Sequence, residues 1–575
     1  MAAKELDLGL VRGKDATING QSAIELVGGK NIDITQSGST VTVSLDGDVD
    51  NGHSTNKSNP HEVTAAQVGA VPTSRTINGK PLTENITLDK DDIGVQYGDT
   101  SPKMDGTAAV GTDSKLARAD HVHPSDTSKQ DKLTGTKGQV VGFNDAGKPT
   151  PMYMDDAYSN PNRFGFEINL SESDPAYKVR YLGANAGYEA AHMDFSTGVF
   201  DYGDWANAWF IKNLKPCVLN FDGTVAYELN PNDYSKKKDG TASGITSDSL
   251  NGNVMVGIPT VWVKVDNSNP ARPKFYFAQN KIDDSYHAYA HTDANGNIIP
   301  YAYMAAYNGY KESSGSRIRS LSGKTPTRSQ TGTDQITATR ANNPSGKTCW
   351  DMEVLADRQL INLLLILIGK STDTQKVFGN GNMNGYNNKA PGSDATYGVL
   401  NTGTLDNKGL FFGYSADNLA VKVFGIENFW GNIWHRTQGM ILANGVLKVK
   451  MTRGTHDGST VNDYNTTGDG YVDTTVRMDG TIGTVNSPTS DPYYTGYIDN
   501  MLATKFGLFP NKMSGSATTH FADHVWYRDN GQRFALFGGD SDDGSYCGAF
   551  ACGLDDLVSS SGWYIGAAVS CKPAA

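Results

Sequence analysis

Cysteine is scarce, with five residues in 575, and no CxxC spacing occurs among Cys217, Cys349, Cys547, Cys552 and Cys571. So few thiols supply no disulfide framework for a chain of this length and no zinc or dithiol motif. The five read mostly as reduced structural thiols. Charge is low as well, at 19% of residues, and the balance of 62 acidic against 50 basic side chains gives a formal net charge of -12. No basic run interleaved with aromatics is present, so the phosphate-neutralising surface that nucleic acid requires is missing. Long apolar runs are also missing. Leu360 to Ile368 is the most apolar stretch and is far too short to cross a bilayer. Met1 to Lys14 lacks the apolar centre of a secretory signal. These absences lead us to expect a protein made in a cytoplasm, with no nucleic acid partner and no membrane insertion.

What the chain has in quantity is glycine, 64 residues, alongside frequent Thr, Asn and Asp. Turn-dense β structure suits that composition better than helix bundles. At about 100–200 residues per domain, the length predicts several domains. In the first 150 residues, short strand-like runs are separated by Gly, Asn, Asp and Pro. Ile32, Ile34, Val41, Val43 and Leu45 alternate with polar residues at period two, the pattern of a half-buried strand. Thr17-Ile18-Asn19-Gly20 recurs as Thr76-Ile77-Asn78-Gly79, and Ala65 to Val71 is echoed by Lys90 to Val95. Units too small to bury a core alone must pack on copies of themselves. With so few repeats, packing across subunits of a closed homotrimer is the better expectation.

From about Tyr153 aromatics become frequent and segments lengthen, as in a globular unit with its own core. Asp351 to Gly369 predicts a buried helix, since Val354, Leu355, Leu360, Ile361, Leu364, Leu365 and Ile368 recur at helical spacing. Gly369 stands where a left-handed C-terminal residue is wanted. Near the C-terminus, apolar or small residues (Phe534, Leu536, Gly538, Gly539, Gly548, Phe550, Trp563, Ile565, Gly566) alternate with small polar ones. That alternation predicts a rigid frame carrying adaptable contacts, or, more plainly, a solvated polar loop.

Two regions resemble known families. Ser58 to Val71, Arg75 to Val95 and Met104 to Asp126 are similar to phage tail-fibre shafts. ENFWGNIWHR (Glu427 to Arg436) and the segment Arg533 to Cys571 resemble the C-type-lectin-like fold of formylglycine-generating enzymes and of retroelement-diversified proteins such as phage tropism determinants. The resemblance implies a mainly β protein with some α: an elongated trimeric β fibre or shaft followed by a large α+β C-type-lectin-like domain. It divides the chain into a tail-attachment region (1–50), a shaft (51–150), a neck or connector (151–204) and a receptor-binding domain (205–575).

By the same resemblance the chain is a non-enzymatic tail fibre of a virion. It is made in the host cytoplasm and binds a bacterial cell-surface receptor, protein or glycan, while its N-terminus joins the tail baseplate or tip. The variable positions of such relatives match Asp540, Ser541, Asp542, Asp543, Ser545, Tyr546, Asp555, Asp556, Ser559, Ser560, Ser561 and Tyr564, with the two tyrosines as anchors. Trp430, Gly431, Asn432 and Trp434 would belong to the interior of the fold. The calcium-lectin triplets EPN, QPD and WND are absent, although Asp457, Asp463, Asp469 and Asp473 cluster where a hard cation could sit.

His121 and His123 form an H-x-H that sends both imidazoles to one face of a strand. No cofactor is required of a binding protein, but on a threefold axis the pair becomes six imidazoles suited to one iron ion, as in other phage fibres. A solvated His pair beside Asp120 is the plain alternative. Two enzymatic alternatives remain. Cys547 and Cys552 have the separation of the copper-binding pair in formylglycine-generating enzymes. A glycan depolymerase would need paired carboxylates, and adjacent Asp555 and Asp556 on a strand would face opposite ways.

Overall fold

The computed structural model describes residues 163–478 and 491–574, preceded by the stretches 16–18, 21–23, 32–37, 40–45, 75–77, 79–81, 85–89, 91–92, 94, 139–143 and 149–153. Strand exceeds helix, 33% against 12%, so the chain is mostly β as its composition predicts. It divides into two compact units, Met1–Lys132 and Leu133–Ala575.

In the first unit the repeated Thr-Ile-Asn-Gly forms the same element twice. Ala16–Ile18 pairs with Gln21–Ala23, and Thr76–Ile77 pairs with Lys80–Pro81. In each copy the Ile and the residue three places on are direct partners in an antiparallel pair. Gly79 has φ +81°, where a Cβ would be strained. The expected alternating run is also a hairpin. Ile32–Ser37 pairs with Thr40–Leu45 in a register that sets Ile32 opposite Leu45 and Ile34 opposite Val43. His121 and His123 lie outside the described residues.

The second unit is built on two large sheets and one long helix. The first sheet has seven strands in the order Asp233–Lys237, Val225–Asn230, Lys215–Leu219, Asn253–Pro259, Tyr301–Ala305, Val569–Cys571, Trp350–Met352. Thus a strand at the C-terminal end of the chain sits between two strands from its middle. The second sheet runs Val472–Arg477, Val446–Val449, Trp434–Ala443, Gln532–Phe537, Cys552–Leu554, His524–Arg528, Tyr493–Tyr497, and Ile565–Ala567 pairs in parallel with Trp434–Ala443.

The connector expected at 151–204 is not one. Arg163–Ile168 is an inner strand of a four-stranded sheet, paired on one side with Val179–Gly183 and on the other with Lys274–Ala278. Phe164 and Phe166 on it are buried, and Phe166 stacks on Phe275 at 5.0 Å. The alternation of aromatics in RFGFEI is a core-strand signal, so the globular unit takes in residues well before 205.

The predicted helix is present as Leu355–Gly369, and every residue of it is buried. Burying each Leu or Ile contributes about 1.5–3 kcal/mol, which is why so apolar a segment belongs inside. Its N-terminal boundary falls later than expected because Trp350–Met352 joins the seven-stranded sheet. At the other end the left-handed residue is Lys370, φ +51°, not Gly369. Gly369 has a different job: a Cβ there would lie 3.0 Å from the ring of Phe378. Asp357 on the helix is satisfied by distant chain. Asp357 accepts from Lys572 Nζ at 2.6 Å and from Ser570 Oγ at 2.6 Å, tying the helix to the C-terminal strand.

Candidate functional site

The second large sheet makes a floor. In three neighbouring strands Leu536, Gly553 and Trp526 are direct cross-strand partners, so they share one face. Gly553 contributes no side chain between Leu536 and Trp526, and a cleft opens above it. The space is about 320 Å³, at the lower end of the range of small-molecule sites. Trp434, Tyr493, Trp526, Trp563 and Tyr564 line it with rings, and Asp540, Asp542, Asp543, Asp555 and Asp556 line it with carboxylates.

The rings are held in place by one another. Trp434 meets Trp526 edge-on at 5.3 Å, and Trp563 stacks on Tyr397 at 4.5 Å with the planes 10° apart. Loop hydrogen bonds fix the acidic rim. Asp540 N donates to Asp543 Oδ2 at 2.9 Å, and Asp542 N donates to Asp540 Oδ1 at 2.7 Å. Tyr386 N donates to Ser541 O at 2.8 Å, and Gly544 N to Met383 O at 2.7 Å, so a second loop braces the first.

Among the described residues none of the five carboxylates takes part in an ion pair. The neighbouring guanidinium groups are engaged elsewhere: Arg533 and Arg528 with Asp491, and Arg436 Nε with Gln335. Burial, and then the adjacent carboxylates, raise Asp540, Asp543 and Asp555. Asp540 is pushed well above the ordinary carboxylate range by burial and by Asp543. Asp543 is pushed up to about 7 by burial with help from Asp542, and Asp555 up to about 6 by burial with help from Asp556. Burial thus favours the neutral form of these three carboxyls.

Of the twelve residues expected at a receptor surface, six line this cleft: Asp540, Asp542, Asp543, Asp555, Asp556 and Tyr564. Asp555 and Asp556 were expected to face opposite ways. They share the cleft because the strand Cys552–Leu554 ends before them, so its alternation does not reach them. Ser545, Tyr546, Ser559 and Ser561 are exposed beside it. Tyr546 rests on His524 with centroids 4.3 Å apart, and Ser545 Oγ lies 2.7 Å from Tyr497 Oη.

Two of the twelve are turned inward. Ser541 is fully buried and its Oγ donates to Tyr397 O at 2.7 Å. Ser560 is half-buried: its Oγ accepts from Leu557 N at 3.0 Å and its carbonyl accepts from Arg436 Nη2 at 2.8 Å. Both brace the loops. Sequence reasoning missed Tyr493 and Trp526, and it placed Trp563 in the frame although its ring lines the cleft. Trp430 and Asn432 are buried as expected, and Trp434 is buried while still forming one wall.

The other candidate groups are occupied otherwise. Cys547 and Cys552 are fully buried, and burial pushes both thiols well above their ordinary range. Cys547 Sγ donates to Asp540 O at 3.2 Å. Asp457 accepts from the backbone of Met451 and Thr452, Asp463 pairs with Arg340 at 3.1 Å, and Asp473 pairs with Arg477 at 3.1 Å. Among the described residues no group of three His, Cys, Asp or Glu side chains is placed to hold a metal ion. No known protein family matches the chain, and no curated protein matches it.

Proposed function

We propose that this chain is the subunit of a trimeric phage tail fibre, and that it binds a bacterial surface receptor through the cleft over Gly553 and the exposed loops beside it. The N-terminal region joins the tail, and the second unit is a C-type-lectin-like domain. The observation that carries this reading is the division of labour in residues 533–571. Frame residues such as Phe534, Leu536 and Ile565 are buried, while Asp542, Ser545, Tyr546, Ser559 and Ser561 are exposed on loops between them. Rigid frames with Tyr, Ser and Asp contacts suit recognition, and Tyr and Trp rings supply most of the energy per contact. Three sites on one fibre turn modest affinities into firm attachment through effective concentration.

The test is the mass of the purified full-length protein by light scattering, with metal content measured on the same sample. A trimer with about one iron per three chains supports the fibre and the His121/His123 axial site together. A monomer, or a protein that binds copper instead, overturns the reading.

A second reading is favoured by one observation, that Asp543 and Asp555 are held at about 7 and about 6 in one cleft with aromatic walls. Paired carboxyls, one of them raised so that it can act as an acid, are what glycan hydrolysis uses. Release of reducing ends from bacterial surface glycans, abolished by Asp543→Asn, would establish it.

A further inference from the structure

Cys349 and Cys571 are far apart in sequence and adjacent in the fold. Trp350 is the direct cross-strand partner of Cys571, and Lys572 N donates to Cys349 O at 2.9 Å, so Cys349 stands one residue off direct opposition to Cys571. Strand spacing puts such diagonal Cα atoms on the order of 6 Å apart, inside the ~4.4–6.8 Å that a disulfide spans. Cys349 precedes the strand Trp350–Met352, so the strand's alternation of faces does not reach it, and it packs against the buried cluster that holds Cys571. The two thiols are within hydrogen-bonding reach of each other. The Cys349 sulfur lies beside Gly223, whose φ of +89° favours glycine.

The two thiols differ in access. Cys571 is fully buried, flanked by Tyr303 on one side and Trp350 on the other. Cys349 is half-buried and lines a cleft of about 430 Å³ together with Lys347, Arg453 and Lys572. Its thiol is lowered by the hydrogen bond with Cys571 and then by the charges of Lys347 and Arg453. It is therefore the nucleophile of the pair, and Cys571 is the resolving partner.

We propose that Cys349 and Cys571 form a disulfide site, oxidised by a small-molecule disulfide that enters this cleft and fastening the strand Val569–Cys571 into its sheet. The Cys349 thiolate attacks one sulfur of the oxidant, and the first small thiolate leaves. Cys571 then gives its proton to solvent and attacks Cys349 Sγ, expelling the second. Two protein thiols are oxidised, and one small disulfide is reduced to two thiols. The loop so closed contains all twelve candidate receptor residues, but the inference does not depend on the receptor reading.

The experiment uses the full-length protein, reduced with dithiothreitol, freed of it and incubated with glutathione disulfide at about pH 8, where thiolates are populated. Thiols are then counted in denaturant and the linkage is mapped by mass spectrometry of peptides. The expected result is a fall from five thiols to three, a Cys349–Cys571 peptide, and a rise in melting temperature on the order of 5–10 °C that dithiothreitol reverses. Cys349→Ser keeps its remaining thiols and shows no such rise. Five thiols surviving oxidation, a glutathione adduct left unresolved on Cys349, or a link from Cys571 to Cys217 or to another chain would overturn the proposal.

Discussion

Asn432 Nδ2 donates to Asn308 Oδ1 at 2.9 Å in the interior of the second unit. The Asn432 oxygen accepts from Asn382 Nδ2 at 2.8 Å and from the Leu400 backbone at 2.7 Å. Asn308 Nδ2 continues the line to His435 Nε2 at 2.6 Å, and His435 Nδ1 meets Glu353 at 3.0 Å. Burial alone would push Glu353 up, yet its hydrogen bonds with His435 and Thr437 and the Arg358 charge hold it below the usual carboxylate range. Asn432 also has φ +70°, a conformation that Asn tolerates better than most residues.

Asn432→Ala strands partners on three segments and places Ala in the left-handed region. The expected cost is about 3–5 kcal/mol, because each orphaned buried polar group costs about 1–3 kcal/mol. Chemical denaturation checks it. A midpoint unchanged from wild type would mean that the line of carboxamides does not hold these loops together.

Gly553→Leu should fill the cleft without unfolding the sheet. The nearest atom to a Cβ at this position is Leu536 Cβ at 3.4 Å, ordinary contact, and the longer branch extends into the open space above. Cell-surface binding by the full-length protein is expected to fall at least tenfold while the melting temperature stays within about 2 °C. Undiminished binding by a folded variant would move the receptor site away from the cleft.

Asp543→Asn tests the electrostatics. The carboxyl sits at about 7 in the fold against roughly 3.9 when unperturbed, so folding favours its neutral form. That contribution is complete below about pH 4 and is lost as pH rises through about 7. The neutral amide should therefore raise the melting temperature at about pH 8, by about 2–4 °C, and lose that advantage at about pH 4. An equal gain at both pH values would show that charge is not the cause.

Gly369→Ala separates local preference from packing. Alanine is the better helix former by about 1 kcal/mol, but its Cβ would come within 3.0 Å of Phe378 and Val377. Overpacking a closed core costs about 1–3 kcal/mol, so the substitution is expected not to stabilise. A gain of about 1 kcal/mol in denaturation would show that the Phe378 ring moves aside freely.

Elements that follow from local pattern could be read from sequence. The helix Leu355–Gly369 and the hairpin of Ile32–Ser37 with Thr40–Leu45 come directly from hydrophobic period. The acidic half of the cleft was legible too, because Asp540 to Asp556 are close in sequence. Its aromatic half was not. The sheet order places 434, 536, 553, 526 and 493 side by side, and no spacing in the chain announces that juxtaposition. Nor could Ser541 and Ser560 be told from their exposed neighbours. Their direction is set by loop hydrogen bonds, to Tyr397 in one case and to Leu557 and Arg436 in the other.

The place of Val569–Cys571, between Tyr301–Ala305 and Trp350–Met352, has a consequence in time. The ribosome releases the two outer strands first, and both must wait with open edges until residues 569–571 emerge. Pairings so distant in sequence are slow to form, and exposed edges invite association with other chains. Maturation of this sheet therefore waits on residues 569–571, and nascent chains halted short of them are the species most in need of a chaperone.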